Sequence, residues 1–350
     1  MAVVHGGKFN FESPAVFPED VIVDNFASSL AGLQWIQREI HHFGGDKSRV
    51  TLFGHSSGAS LVDTLSLSPQ SIGLFSQLII ASAASLLSAS EINKNVNIAA
   101  SWAIAKATGC APSHYDYHSG STEMTELALR CLRSIPYNKI IDAQRSLYNS
   151  TEDFYGPAID GDILPSSNWN LNPNRPLYPS LIGTVNAESR IGRYMLTSDG
   201  KSVNSTLIDE YCRHVGYGIW FERSEEVYKA CFDQYSKGSL SAFDNKWGLE
   251  VEDRPAHSEE YIYILGLHRA NFSTKDYEIQ EIFSKVFADF VNKGDPTPEG
   301  RKWPLYEEKE RNYFEIDFPT DIISPASFPG PSTKFMNRAN DFWIDVIEKK

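Results

Sequence analysis

Arg49-Val50-Thr51-Leu52-Phe53-Gly54-His55-Ser56-Ser57-Gly58-Ala59-Ser60 sets out, in twelve residues, an apolar run, a Gly-x-Ser-x-Gly pentad and the start of a helix. Val50, Leu52 and Phe53 suit a strand buried in a parallel sheet. The turn that follows is tight enough for side chains at 54 and 58 to collide with the neighbouring strand and helix, and both positions are glycine. Such a turn lifts the Ser56 hydroxyl clear of the sheet. It also aims the N–H groups of a helix N-terminus at any oxyanion forming there. The stretch reads as a nucleophile elbow, and it predicts an α/β fold built around a reactive serine.

The preceding residues extend the pattern. The run from Phe43 to Ala59, FGGDKSRVTLFGHSSGA, resembles the type-B carboxylesterases, the family that includes the cholinesterases. Further motifs keep up the resemblance over nearly the whole chain. It implies an α/β-hydrolase fold, with a central, mostly parallel sheet flanked by helices. The chain is shorter than the family's usual catalytic domain. The expectation is therefore one domain over residues 1–350, shortened at the N-terminus and internally, with an incomplete sheet.

Composition limits the partners. The 350 residues are 41% hydrophobic and 22% charged, ordinary for a globular chain, and the formal net charge is -13. An acidic surface argues against nucleic acid, whose phosphates require basic partners. No apolar run reaches the length of a membrane span. Met1-Ala2-Val3-Val4-His5 lacks the layout of a signal peptide and resembles a strand entered midway. The sequons at Asn149, Asn204 and Asn271 suit a secreted or ER-lumen protein, as the resemblance also implies. Oligomeric state is left open.

Taken in order, Ala2-Val3-Val4 forms a short strand before His5-Gly6-Gly7-Lys8-Phe9, which resembles the family's oxyanion loop with Lys8 in place of a glycine. By that resemblance the oxyanion donors are the N–H groups of Gly7, Lys8 and Ser57. Asp20-Val21-Ile22-Val23 begins another strand that stops early, followed by an amphipathic helix over Ser29–His42 and a strand at Gln77–Ala81. Helical, polar sequence fills 99–148. The resemblance implies a disulfide between Cys110 and Cys131, buried thiols being the other possibility. Cys212 and Cys231 are open between a second bridge and two thiols. Asp160, in a GPxxDGDxLP-like stretch, is placed in a structural turn. A closing helix is expected around Ile282–Phe290 and a last one over Asn337–Ile347.

Two further motifs complete the chemistry. Leu181 to Glu188 is a strand ending in a carboxylate, similar to the family motif whose glutamate is the triad acid, with Ser189 in place of the usual glycine. His257-Ser258-Glu259-Glu260 resembles the motif carrying the general base, and Ser258 stands where the family has glycine. His257 is expected on a loop just before a strand. The order Ser56, Glu188, His257 is then nucleophile, acid, base, and implies hydrolysis of a small-molecule carboxylic ester through an acyl-enzyme. His55 is expected to shape the site rather than act as base. No His/Cys spacing suits a metal, and no cofactor is implied. The alternative is a catalytically impaired cholinesterase-like binding or adhesion protein, or a shortened product without function.

Overall fold

Alternation within the apolar runs decides how the layers stack. In a strand, successive side chains face opposite sides of the sheet, so a run apolar at every position needs cover on both. The computed structural model describes residues 1–6, 26–83, 91–147, 157–185, 188, 208–209, 212–213, 224–236, 257–265, 272–298, 302–316 and 330–333. Its main sheet has four parallel strands in the order β1 (Ala2–Val4), β2 (Thr51–His55), β3 (Gln77–Ala81) and β4 (Ser180–Gly183). Val3 pairs with Phe53, Phe53 with Ile79 and Ile79 with Leu181. Every residue of β2 and β3 is buried.

Helices α1 (Phe26–Glu39) and α2 (Ser57–Leu67) cover one face. There Leu30, Leu33, Leu61, Val62 and Leu65 pack with Leu52, Leu78 and Ile80. The helix expected over Ser29–His42 thus starts slightly earlier. It passes into a 3-10 turn over Ile40–Phe43 that Gly44 closes in the left-handed region at φ 78°. The opposite sheet face, with Phe53, Ile79, Ala81 and Leu181, packs against Tyr261, Val286 and Phe290, residues from much later in the chain.

In the chain, β3 is followed by α3 (Glu91–Ala107), α4 (Thr122–Ser134), α5 (Tyr137–Leu147) and the short α6 (Asn168–Leu171) before β4. The bridge Cys110–Cys131 ties the end of α3 to α4 around a small core of Ala105, Ala111 and Ala128. A second bridge, Cys212–Cys231, anchors α7 (Ser224–Ser236). The Asp63–Arg175 ion pair, at 2.8 Å, joins α2 to the segment leading into β4. Asp160 sits in a turn, its Oδ1 accepting the N–H groups of Asp162 and Leu164, each at 2.9 Å. The chain continues through α8 (Glu259–Leu265), α9 (Thr274–Lys293) and an antiparallel pair, β5 (Tyr313–Glu315) with β6 (Gly330–Ser332).

One expectation is corrected. His257 precedes a helix, α8, and not a strand. The alternating Tyr261-Ile262-Tyr263-Ile264 looks like strand sequence, but Tyr261, Ile264 and Leu265 share one helical face that packs on the core beside α9. Tertiary packing overrides local preference here. The expected strand at Val21, the sequons, Ser189 and the last helix lie outside the described residues.

Candidate active site

Three glycines bring the backbone together around Ser56. A Cβ on Gly54 would run into the backbone of Gly58, and one on Gly58 into the carbonyls of Val4 and His5. A Cβ on Gly6 would lie 2.7 Å from the Ser56 Cβ, so the chain leaving β1 passes directly against the serine. Ser56 takes φ 55° and ψ -129°, which L-residues seldom adopt. The surroundings enforce it. Its N–H donates to Ala81 at 2.9 Å, and its carbonyl accepts from Ala59 and Ser60 as α2 begins. Ser57 opens that helix, where backbone N–H groups lack intrahelical acceptors. Gly7 and Lys8 lie outside the described residues.

The serine hydroxyl meets His257. Ser56 Oγ is 2.8 Å from His257 Nε2, and His257 Nδ1 is 2.5 Å from Glu188 Oε2. Glu188, just beyond β4, accepts the Thr184 hydroxyl at 2.5 Å and the Val185 N–H at 3.0 Å on its other oxygen. Burial pushes its carboxyl pKa up. The hydrogen bonds from His257, Thr184 and Val185 outweigh that and hold it below the usual glutamate range. With that carboxylate at Nδ1, the ring carries its proton on that side and offers Nε2 as the acceptor for the serine proton. The sequence-selected Ser56, Glu188 and His257 are therefore brought into one hydrogen-bonded chain, from residues as far as 201 positions apart.

Exposure separates the two histidines. The His257 side chain is 26% exposed, whereas that of His55 is 3% exposed. His55 Nε2 donates to Glu260 Oε1 at 3.0 Å, and the Ser82 hydroxyl donates to the same oxygen at 2.5 Å. Sequence reasoning noted Glu260 only for its place in a motif and missed Ser82 altogether. No spacing marks Ser82. Its distinguishing feature is a backbone at φ 61°, a property of the fold. Among the described residues, no group of three His, Cys, Asp or Glu side chains is placed to hold a metal ion.

Ser258, next to His257, is held at φ 76°, in the left-handed region that suits glycine. Ser258→Gly is accordingly expected to stabilise the fold by about 0.5–1 kcal/mol, the strain relieved slightly exceeding the entropy that glycine adds to the unfolded chain. Denaturant melts of the two proteins measure this, and an equal or lower midpoint for the glycine variant refutes it.

The family model described as the carboxylesterase family matches residues 26–244 and 219–328. Acylcarnitine hydrolase of Rattus norvegicus is 30% identical, the match covering 93% of this chain and 62% of that protein. Neuroligin-2 of Homo sapiens is 25% identical, with 91% of this chain and 44% of that protein covered. Liver carboxylesterase of Sus scrofa is 22% identical, with 92% and 63% covered. The chain thus spans between 44% and 63% of the length of these curated relatives. A solved PNB esterase superposes with a TM-score of 0.71 at 17% identity, over 97% of this chain and 79% of that one. At that identity the likeness speaks for the α/β-hydrolase fold alone.

Proposed function

The chain belongs to the carboxylesterase family, and on that premise we propose that it is a serine esterase that hydrolyses carboxylic esters through an acyl-enzyme. The observation that carries this is the unbroken hydrogen-bonded chain Ser56–His257–Glu188, ending on a serine held in a strained elbow. Ser56 Oγ attacks the ester carbonyl carbon while His257 Nε2 takes its proton. The tetrahedral intermediate collapses, and His257 returns the proton to the departing alcohol. A water, deprotonated by the same nitrogen, then attacks the acyl-serine, and His257 hands that proton to Ser56 Oγ as the acid leaves. Glu188 holds the ring in the tautomer these steps require and stabilises the imidazolium.

The Ser57 N–H is the oxyanion donor within the described residues, and Gly7 and Lys8 supply the others in this scheme. Loss of one such donor typically costs about 3 kcal/mol of transition-state stabilisation. The chain acts as one α/β-hydrolase domain, since the core beneath β2 to β4 is completed by residues from α8 and α9. Among the described residues no helix is long and apolar enough to cross a membrane. Two bridged cysteine pairs favour an oxidising compartment.

The test is hydrolysis of p-nitrophenyl acetate and butyrate by the purified chain, made under oxidising conditions. A burst of p-nitrophenol equal to the protein concentration, and stoichiometric labelling by a fluorophosphonate, are expected. A folded protein that neither turns over nor takes the label is instead a binding protein on the same fold.

A further inference from the structure

A polar cluster beside the Ser56–His257–Glu188 chain, with two of its three side chains buried, has no part in the steps above. It gathers His55 from the end of β2, Ser82 from the turn after β3 and Glu260 from the first turn of α8. Oε1 of Glu260 accepts two donors, His55 Nε2–H at 3.0 Å and the Ser82 hydroxyl at 2.5 Å. Oε2 is buried without a hydrogen-bond partner among the described residues. Burying a carboxylate this way works against stability, so packing alone does not explain it.

The cluster touches the proposed machinery through the His55 ring. The His55 ring stacks on Tyr261 at 4.6 Å, and its centroid is 5.1 Å from that of His257. His55 is 2% exposed and its Nε2 is committed to Glu260, which rules it out as a spare base reaching substrate. We propose that His55 and Glu260 are positioning residues: Glu260 locks the His55 ring into a shelf for the His257 imidazole. This rests on the esterase proposed above. Its physical basis is that rings and carboxylates fixed by packing and hydrogen bonds keep the reacting atoms in register, where a displacement of about 1 Å can cost on the order of 100-fold in rate.

The test compares the wild-type chain with His55→Ala, His55→Gln and Glu260→Gln, counting competent sites by fluorophosphonate titration and dividing turnover by that count. The expected result for His55→Ala and Glu260→Gln is a fall in kcat per titrated site of on the order of 10- to 100-fold, with KM within about twofold. His55→Gln keeps an N–H donor for Glu260 and should recover about half of that loss on a logarithmic scale. Independently of turnover, the downfield proton resonance of the His257–Glu188 hydrogen bond should move or broaden in His55→Ala and Glu260→Gln. A merely structural role would lower the number of titratable sites and leave both kcat per site and that resonance alone; this outcome overturns the proposal. If the wild-type chain takes no label, the esterase reading fails by itself, and the resonance alone then decides whether the shelf positions His257.

Discussion

Ser56→Ala should lower kcat by on the order of 10⁵-fold or more and abolish fluorophosphonate labelling, while leaving the fold intact. Alanine removes the one oxygen that bonds to the acyl group and keeps the backbone, so the elbow itself persists. Retention of the fold is checkable because Ser56 is anchored through main-chain atoms, to Ala81, Ala59 and Ser60, and not through its hydroxyl. Among the described residues the hydroxyl's hydrogen-bond partner is His257 Nε2, at 2.8 Å, so the variant should melt close to the wild type. Turnover above the rate in buffer survives in such variants only through binding and oxyanion donors, which together give far less than the whole machinery. Persistent labelling of Ser56→Ala would mean that another nucleophile does the chemistry. Unchanged hydrolysis would do the same.

Glu188→Gln should cost on the order of 10⁴-fold in kcat with little effect on KM. Glutamine fits the site, but its amide can donate to His257 Nδ1, which favours the tautomer with the proton on Nε2. That nitrogen can then no longer take the proton of Ser56. The variant also loses the charge that stabilises the imidazolium. Stability carries a second signature. The Glu188 carboxyl is held below its ordinary range by hydrogen bonds that outweigh its burial, so the unfolded state takes up the proton first as pH falls. Its contribution is full above the ordinary glutamate pKa of about 4.3 and is lost as pH falls through the lower, folded value. Thermal melts from neutral to acidic pH should therefore fall more steeply for the wild type than for Glu188→Gln. Parallel curves would show that the carboxylate is not held as the geometry indicates.

The parts legible in the sequence are those fixed by neighbours along the chain. Gly54 and Gly58 announce the turn at Ser56, because the steric demand sits within five residues. The strands at 51–55 and 77–81 declare themselves as short apolar runs. Where the signal was local but ambiguous, it misled: Tyr261-Ile262-Tyr263-Ile264 alternates like a strand, yet the core beside α9 selects a helix. Glu188 and His257 were marked by resemblance to a family's motifs, since an isolated carboxylate or imidazole carries no local signature. Gly7 and Lys8, selected in the same way, lie outside the described residues.

By itself, then, the sequence determined the elbow, the α/β class and which serine stands at the turn, because steric limits on backbone and side-chain alternation act over a few residues. Tertiary structure alone decided that His257 reaches Ser56 across 201 positions and Glu188 across 69. It also decided that His55, adjacent to the serine in the chain, turns away to Glu260, 205 residues later. The reason is geometric. Parallel strands place their C-terminal ends side by side at one edge of the sheet, and residues that are strangers in sequence become neighbours there.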